Sequence, residues 1–471
     1  MKKIVLALAV ATTFSTGGPR LDARQAPAQL ALVGGMLLDG YEVPPIHHAV
    51  VLIEGNRIVA KGRAGEVTIP PDARVIDTSG RTMLPGLIDL HVHTMILGHG
   101  DYGRWFPWIL EQNLVEEVMA ISVKQLLMAG VTSAVDLASP LKESIHVRDR
   151  INKGEIPGPR MWMSGPWITR RVGNYPPGMF EVKAETAEQA AAAAESLVQA
   201  GVDVIKVYPL AADQYQAVVA VARKHGKRVH AHVGNSPESV RDAMRAGVDV
   251  LTHPGTRPAY DDELMREIVD RGQAVSPTSA LRFAIYPATV AFPERLQDPR
   301  LKRDFPPKIY EEVQDSFRNF HALSYFQNMD RIMDVVPGSL RKWVQSGALI
   351  GMGTDSGTPM NFHTEALWRE MKLFVDYGMT PQRAIASATR INARILGRGR
   401  DLGTIEPGKL ADIIVVNGDP LFDITALGHV EMVIKDGVVV KGGEAAASAR
   451  DDRRSRRRPV LRHSAPPVTV R

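Results

Sequence analysis

From Thr82 to Asp355 the chain alternates short apolar runs with helical stretches, and that alternation leaves it few architectures. The apolar runs fall at Leu84–Leu90, Val131–Val135, Arg160–Ser164, Asp203–Tyr208, Arg228–His230, Asp249–His253, Ala274–Ser276 and Ala348–Asp355. Helical patterns lie between them at Val115–Ala129, Ala184–Ala200, Asp213–His225, Pro237–Ala246, Asp262–Arg271 and Leu340–Ser346. Ala and Glu, both strong helix formers, dominate the third gap, and Gly130 and Gly201 stop the helices before them. Eight strand–helix units predict a closed α/β barrel of the (β/α)8, TIM-like kind. An open doubly wound sheet would carry a glycine-rich phosphate loop after an early strand, and the sequence has none. A long excursion interrupts the series before Leu340, proline-rich at first and helical from about Pro307 to Met333. Its first part, from Ser279 to about Pro306 with Phe283, Tyr286 and Phe292, is a candidate lid, since loops of this length are often functional.

The flanks read differently. Short β-branched runs at Leu30–Val33, Ala49–Ile53, Arg57–Ala60 and Ala73–Ile76 are separated by glycine-rich turns, which suggests a small antiparallel layer. It is too small to close a large core alone. A helix over Pro381–Leu396 is followed by further β segments at 402–416 and 430–440. These are expected to pair with the N-terminal ones as one small discontinuous β-sandwich. The expected division is a leader over 1–28, sandwich over 29–81, barrel over 82–400, sandwich again over 401–444, and a tail over 445–471.

Both extremes carry their own signals. Met1-Lys2-Lys3, an apolar run to Ala11 and small residues at Ala26 and Ala28 fit a secretory signal peptide cleaved near Gln29, hence an exported, periplasmic or secreted protein. That run is too short to span a bilayer, and no later stretch resembles a span. The formal charge of +5 is a tail property: Ala449 to Arg471 holds eight arginines and two aspartates, so the rest is nearly neutral. The tail reads as a disordered extension and gives no ground for a specific nucleic-acid partner. Homo-oligomerisation is open. With no cysteine in the chain, thiolate chemistry and cysteine metal sites are excluded.

The chemistry stands at strand ends, where barrel enzymes keep it. His91 and His93 are two apart, so a strand turns both to one side. Lys206, His230, His253 and Asp355 each end a further strand. Imidazole and carboxylate are ordinary ligands for divalent transition metals. Lys206 is out of place among them, because a protonated ammonium repels a metal. It makes sense if its amine has added carbon dioxide, giving an anionic carbamate whose two oxygens can bridge two cations. The plain alternative is a lysine paired with an acidic neighbour.

These motifs, Pro85-Gly86-Leu87-Ile88-Asp89-Leu90-His91-Val92-His93, Ile205-Lys206-Val207-Tyr208, Val229-His230-Ala231-His232, Thr252-His253-Pro254-Gly255, Gly353-Thr354-Asp355-Ser356-Gly357 and Leu402 to Asp412, occur in an order that resembles the metal-dependent amidohydrolase superfamily. The likeness runs from about residue 30 to 441. It is greatest to the branch with imidazolonepropionase-like proteins, Xaa-Pro-type dipeptidases and ochratoxin-type amidases. The resemblance implies two divalent metal ions, zinc above all. His91, His93 and Asp355 would hold the more buried one and His230 and His253 the second, with N6-carboxylysine at Lys206 bridging them. His232 rivals His230 as ligand; the segment from there to His253 is longer than the family pattern, with the extra residues around Gly234–Pro237.

The activity this implies is hydrolysis of an amide- or peptide-type C–N bond in a small substrate such as a dipeptide, an N-acyl amino acid or a carbamate. Asp355 would act as ligand and base, and Tyr208 would donate to the oxyanion or bind a substrate carboxylate. His232, His363, Arg170 and Trp105 are candidate substrate contacts, in loops that also hold His99, Arg104, Trp108, Trp167 and Arg171. Cyclic-amide hydrolysis, lactonase activity or binding without catalysis are the alternatives on the same scaffold.

Overall fold

Gly86 is where the chain passes from one layer to another. The computed structural model describes residues 29–442, apart from 174, 234–235, 256–259 and 331–335. The expected leader, the basic tail and the Gly234–Asn235 part of the suspected insertion lie outside the described residues.

Before the barrel come β1 (Gln29–Val33), β2 (Met36–Leu37), β3 (Ala49–Glu54), β4 (Arg57–Arg63), β5 (Arg74–Asp77) and β6 (Arg81–Pro85). Then follow β7 (Leu87–Val92), β8 (Val131–Asp136), β9 (Arg160–Met163), β10 (Trp167–Thr169), β11 (Glu181–Lys183), β12 (Val204–Val207), β13 (Arg228–His232), β14 (Val250–Thr252), β15 (Ala274–Ser276) and β16 (Leu349–Ile350). The chain closes with β17 (Ile413–Asn417), β18 (Val430–Lys435) and β19 (Val438–Lys441).

The barrel staves are β7, β8, β9, β12, β13, β14, β15 and β16, all parallel where they pair. Two seams close the ring. Asp203 N donates to Met163 O at 2.8 Å between β9 and β12, and Leu90 N donates to Met352 O at 3.1 Å on the eighth stave. The helix series at 381–395 blocks the end of the barrel where the staves begin. Its Ala386, Ile391 and Ile395 pack with Ile88, Leu90, Val135 and Val250. Asn392 Nδ2 donates to Ile88 O at 2.6 Å and Met352 O at 2.7 Å.

The sandwich joins a sheet in the order β4-β3-β1-β5 to one in the order β19-β18-β17-β6-β2. The second sheet has two dry faces. Ile413 and Val415 face the sandwich core, while Ile414 and Val416 belong to the barrel core. A strand covered on both sides must read as a continuous apolar run, and β17 does.

Two expectations need correction, and two short strands went unforeseen. The barrel does not begin at 82: β6 pairs with β17 in the sandwich, and the boundary is Gly86. The run from Thr82 to Val92 is two strands of different sheets, and a Cβ at Gly86 would stand 2.1 Å from Thr132 Oγ1. The helix expected over 307–333 is broken into Pro307–Asp315, a short turn at Phe320–Ala322 and Ser324–Asp330. Ser316 Oγ donates to Val313 O at 2.6 Å, a side-chain bond that competes with helix continuation. Finally, β10 and β11 pair beside β12. Strands of three residues are too short for an alternation to register.

Candidate metal centre

Parallel staves bring their C-terminal ends to one rim, and the ligand-type side chains collect there. His91 and His93 come from the end of β7, and Asp355 from the turn after β16. His91 Nε2 lies 3.3 Å from His93 Nε2, and Asp355 Oδ1 lies 3.4 Å from the first and 3.0 Å from the second. One ligand atom from each of the three lies within 4.8 Å of the others, a group able to hold a metal ion. The corner is fixed by its backbone. Asp89 accepts from His91 N at 3.0 Å, Thr354 N at 3.1 Å and Thr354 Oγ1 at 2.7 Å, tying the first stave to the eighth. Asp136 accepts from Thr94 N at 3.1 Å and Ala138 N at 3.0 Å, tying the first to the second. At Gly357, where φ is +97°, a Cβ would meet His93 O at 2.2 Å, so no larger residue can end this turn.

The other ligand-type residues stand across the rim. Lys206 on β12 and His230 on β13 are register partners. Lys206 is buried and its Nζ donates to Thr252 Oγ1 at 2.8 Å; among the described residues it has no acidic partner at ion-pair distance. The salt-bridged alternative is therefore not what the chain adopts. His253, just past β14, lies with its ring 4.8 Å from that of His91 and 4.5 Å from that of His232. Thr278 Oγ1 donates to Pro277 O at 2.7 Å, so its oxygen accepts from His253 Nδ1 at 2.5 Å. That bond leaves Nε2 as the lone-pair nitrogen of His253. His253, Thr278 and Asp355 have φ of 58°, 50° and 59°, left-handed conformations that a non-glycine residue takes at a cost of about 1–3 kcal/mol. Such strain clusters at functional sites.

The donor set suits a cation. His230 is fully buried, yet among the described residues neither ring nitrogen has a hydrogen-bond partner, and Nδ1 of His91 and of His93 is unpaired too. Buried polar atoms are normally satisfied. Burial holds the imidazoles neutral and competent as ligands: it pushes His230 and His232 down to about 3, and His91 and His253 well below their ordinary value. Burial alone would raise the Asp355 carboxyl, but the hydrogen bond and charge of His93, with Arg282 and Lys206 nearby, bring it below its usual range. Burial lowers the Lys206 ammonium to about 7, against the opposing charge of Asp355. Near neutral pH a sizeable fraction of it is therefore free amine.

A cavity of about 210 Å³ opens over these groups. Trp167, Tyr175, Phe180, Phe106 and Tyr102 form an aromatic cluster in its wall, which Tyr325 extends with its ring 5.8 Å from that of Tyr102; Arg282 also lines it. Tyr208 lines it, stacked on His232 with ring centroids 4.4 Å apart, and burial raises its phenol, so it stays a donor. A larger open groove of about 840 Å³ runs along 293–320, but two of its three carboxylates, Glu312 and Asp315, are taken by Arg104.

Several expected contacts are elsewhere. Trp105 is fully buried on the helix Tyr102–Glu111, its Nε1 bonded to Met95 O at 3.0 Å: it is core, one helical face away from the cavity. Arg170 and Arg171 are exposed and do not line it. His363 is buried with Nδ1 2.8 Å from Ser356 Oγ and Nε2 3.2 Å from Ile96 O, so both nitrogens brace the turn after Asp355. In the candidate lid, Phe292 is 69% exposed and Tyr286 is core. The residue of that segment that reaches the cavity is Arg282, which sequence patterning did not single out. Asp89, Asp136 and Thr278 were missed likewise; the Asp89 position inside the histidine motif was the one available signal.

A family model described as the amidohydrolase family matches residues 82–440. A 5-methylthioadenosine/S-adenosylhomocysteine deaminase of Symbiobacterium thermophilum is 24% identical over 454 residues, covering 88% of this chain and 93% of that one. A putative prolidase from Bifidobacterium longum superposes with a TM-score of 0.69 at 26% identity, over 92% of this chain and 99% of that one. A Xaa-Pro dipeptidase, solved with methionine in its active site, gives a TM-score of 0.69 at 26% identity, over 88% of this chain and 100% of that one.

Proposed function

The chain belongs to the amidohydrolase family, and on that premise we propose that it hydrolyses an amide- or peptide-type C–N bond at a centre of two metal ions. The observation that carries the proposal is Lys206: a buried amine, deprotonated in part near neutrality, beside imidazoles with unpaired nitrogens and, among the described residues, with no carboxylate at ion-pair distance. A lysine there is intelligible as N6-carboxylysine. His91, His93 and Asp355 would hold one ion, His253 and a histidine of β13 the other, and the carboxylated Lys206 both; zinc suits this donor set. Of the two histidines of β13, His232 lines the cavity with its ring 4.5 Å from that of His253, and His230 does not line it, so the geometry favours His232 as the ligand. Bound ions supply a hydroxide near neutral pH and a Lewis acid for a carbonyl oxygen.

This chain's own residues do the rest. Asp355 is ionised and lines the cavity, so its carboxylate takes the proton of the attacking hydroxide and returns it to the leaving amine. The Tyr208 phenol, held protonated, donates to the developing oxyanion. The aromatic wall excludes water from the bond being cut. The prolidase and dipeptidase likenesses support a dipeptide or an N-acyl amino acid as substrate. Export follows from the leader's pattern, and N-terminal sequencing of the secreted or periplasmic form should begin near Gln29.

The test is metal content with intact mass under non-denaturing conditions, followed by a dipeptide and N-acyl amino acid screen. Two ions per chain, about 44 Da of added mass lost on Lys206→Met, and free amino acid as product are expected. One ion, no added mass and release of ammonia from an aminopurine would instead favour deamination, the activity named for the Symbiobacterium relative.

A further inference from the structure

We infer that Arg282 is the specificity-determining residue of the cavity, the receptor for a carboxylate on the leaving-amine half of the substrate, and that the acyl half is an aromatic or similarly bulky apolar group. The inference rests on the hydrolase proposal above and narrows its substrate class. Arg282 lines the cavity and is only part-buried, and among the described residues it forms no ion pair. One of its guanidinium N–H groups is used: Nη1 donates to Thr278 O at 3.1 Å. A guanidinium has five donors in a planar fork shaped for carboxylate, so four remain for a ligand. Among the described residues Asp355 is the only acidic one lining the cavity, and it is engaged by His91 and His93. The cavity is therefore biased toward anions.

Arg282 is also held in place. Thr278 has φ of 50°, and the next two backbone N–H groups, of Ser279 and Ala280, donate to the buried Glu370 carboxyl at 2.8 and 2.5 Å. The turn that carries Arg282 is thus pinned to the helix Ala366–Asp376. Such preorganisation lowers the cost of binding.

Position gives the orientation. Arg282 follows β15, the seventh stave, and Trp167, Tyr175 and Phe180 follow β9, the third. Trp167 lies on β10, which pairs with β12, the fourth stave, so this wall stands in the half of the ring opposite the seventh. A substrate lying over the centre must then point its charged end to Arg282 and its other end to the aromatic wall. Trp167 and Phe180 stack with centroids 5.8 Å apart, and Tyr175 meets Trp167 edge-on at 5.7 Å. Planar apolar groups pack well against such a wall.

The experiment compares N-benzoylglycine with its carboxamide, N-benzoylglycinamide, on the metal-loaded full chain, following binding by tryptophan fluorescence and cleavage by release of benzoate. The acid is expected to bind at least tenfold more tightly than the amide. Arg282→Met should remove that preference while leaving amide binding unchanged, and Arg282→Lys should restore part of it. Equal binding of the two compounds to the wild type would overturn the inference, as would a preference that survives in Arg282→Met. Should the Met variant not fold, Arg282→Gln makes the same comparison. Selective binding of the acid without cleavage would leave the carboxylate receptor standing and refute the hydrolase proposal. Cleavage of both compounds at equal efficiency would do the reverse.

Discussion

The two sides of the rim are built to different standards. At the His91–His93–Asp355 corner the ligand atoms already converge within 4.8 Å, and the peptide groups behind them are bonded to Asp89 and Asp136. On the Lys206–His230–His253 side no such group forms among the described residues, and two nitrogens of one buried histidine are left unpaired. The first side is a finished receptor. On the proposed reading the second would be completed by chemistry that the side chains alone do not supply, since an amine would have to become an anion. A tight first site and a weaker, conditional second one are the expected result.

The largest break in this comparison is expected from Asp355→Asn. It removes both the charge of the finished corner and the proton carrier, so kcat should fall on the order of 10³-fold or more. Retention of two ions with near-normal turnover would show that the corner is not where the reaction is run. Next is Lys206→Met, predicted to lose one ion and keep the other, with kcat/KM down by about 10²-fold or more. Partial recovery of Lys206→Gly by short-chain carboxylates would sharpen the case for an anionic bridge; an unchanged metal count would erase the difference between the sides.

Thr278→Val should weaken only the second ion, by about 10- to 100-fold in affinity, because His253 loses the acceptor that fixes its tautomer. Thr278→Ser should retain it, and competition with a chromophoric chelator reads both. The smallest effect concerns Glu370, which anchors the neighbouring turn. Burial raises its carboxyl to about 8, above an ordinary 4.5. The stability it contributes is complete below the ordinary value and is lost as pH rises toward and through about 8. Wild-type Tm should therefore fall between pH 5 and 8.5 more steeply than that of Glu370→Gln. Parallel slopes would show that this carboxyl does not titrate in the folded chain.

What the sequence displayed was periodic or repeated. The eight staves showed because each is a short apolar run bounded by a helix, and the ligand set because its members sit at run ends. Arg282 and Thr278 were hidden because they follow a three-residue strand in an excursion without a pattern, and their meaning depends on Glu370, some ninety residues away. Trp105 looked like a pocket residue because an aromatic near the first stave can point either way, and helical phase turned it into the core. The β6–β7 boundary was lost because two buried strands in succession read as one apolar run, broken only by Gly86.

The two-faced sheet has a consequence for how the protein is made. β6 emerges from the ribosome early, but the strand it pairs with comes much later: Thr82 bonds to Gly418, 336 residues on, at 2.7 Å. Until 413–416 have been synthesised, Leu84 on its barrel face and Met83 on its sandwich face lack the strand that pairs with them. Vectorial synthesis thus yields a barrel with its seat missing and an apolar strip on show, which favours holding by a chaperone over early closure. A chain terminated before Ile413 would carry nearly every residue discussed above and still lack the strand that seats the barrel.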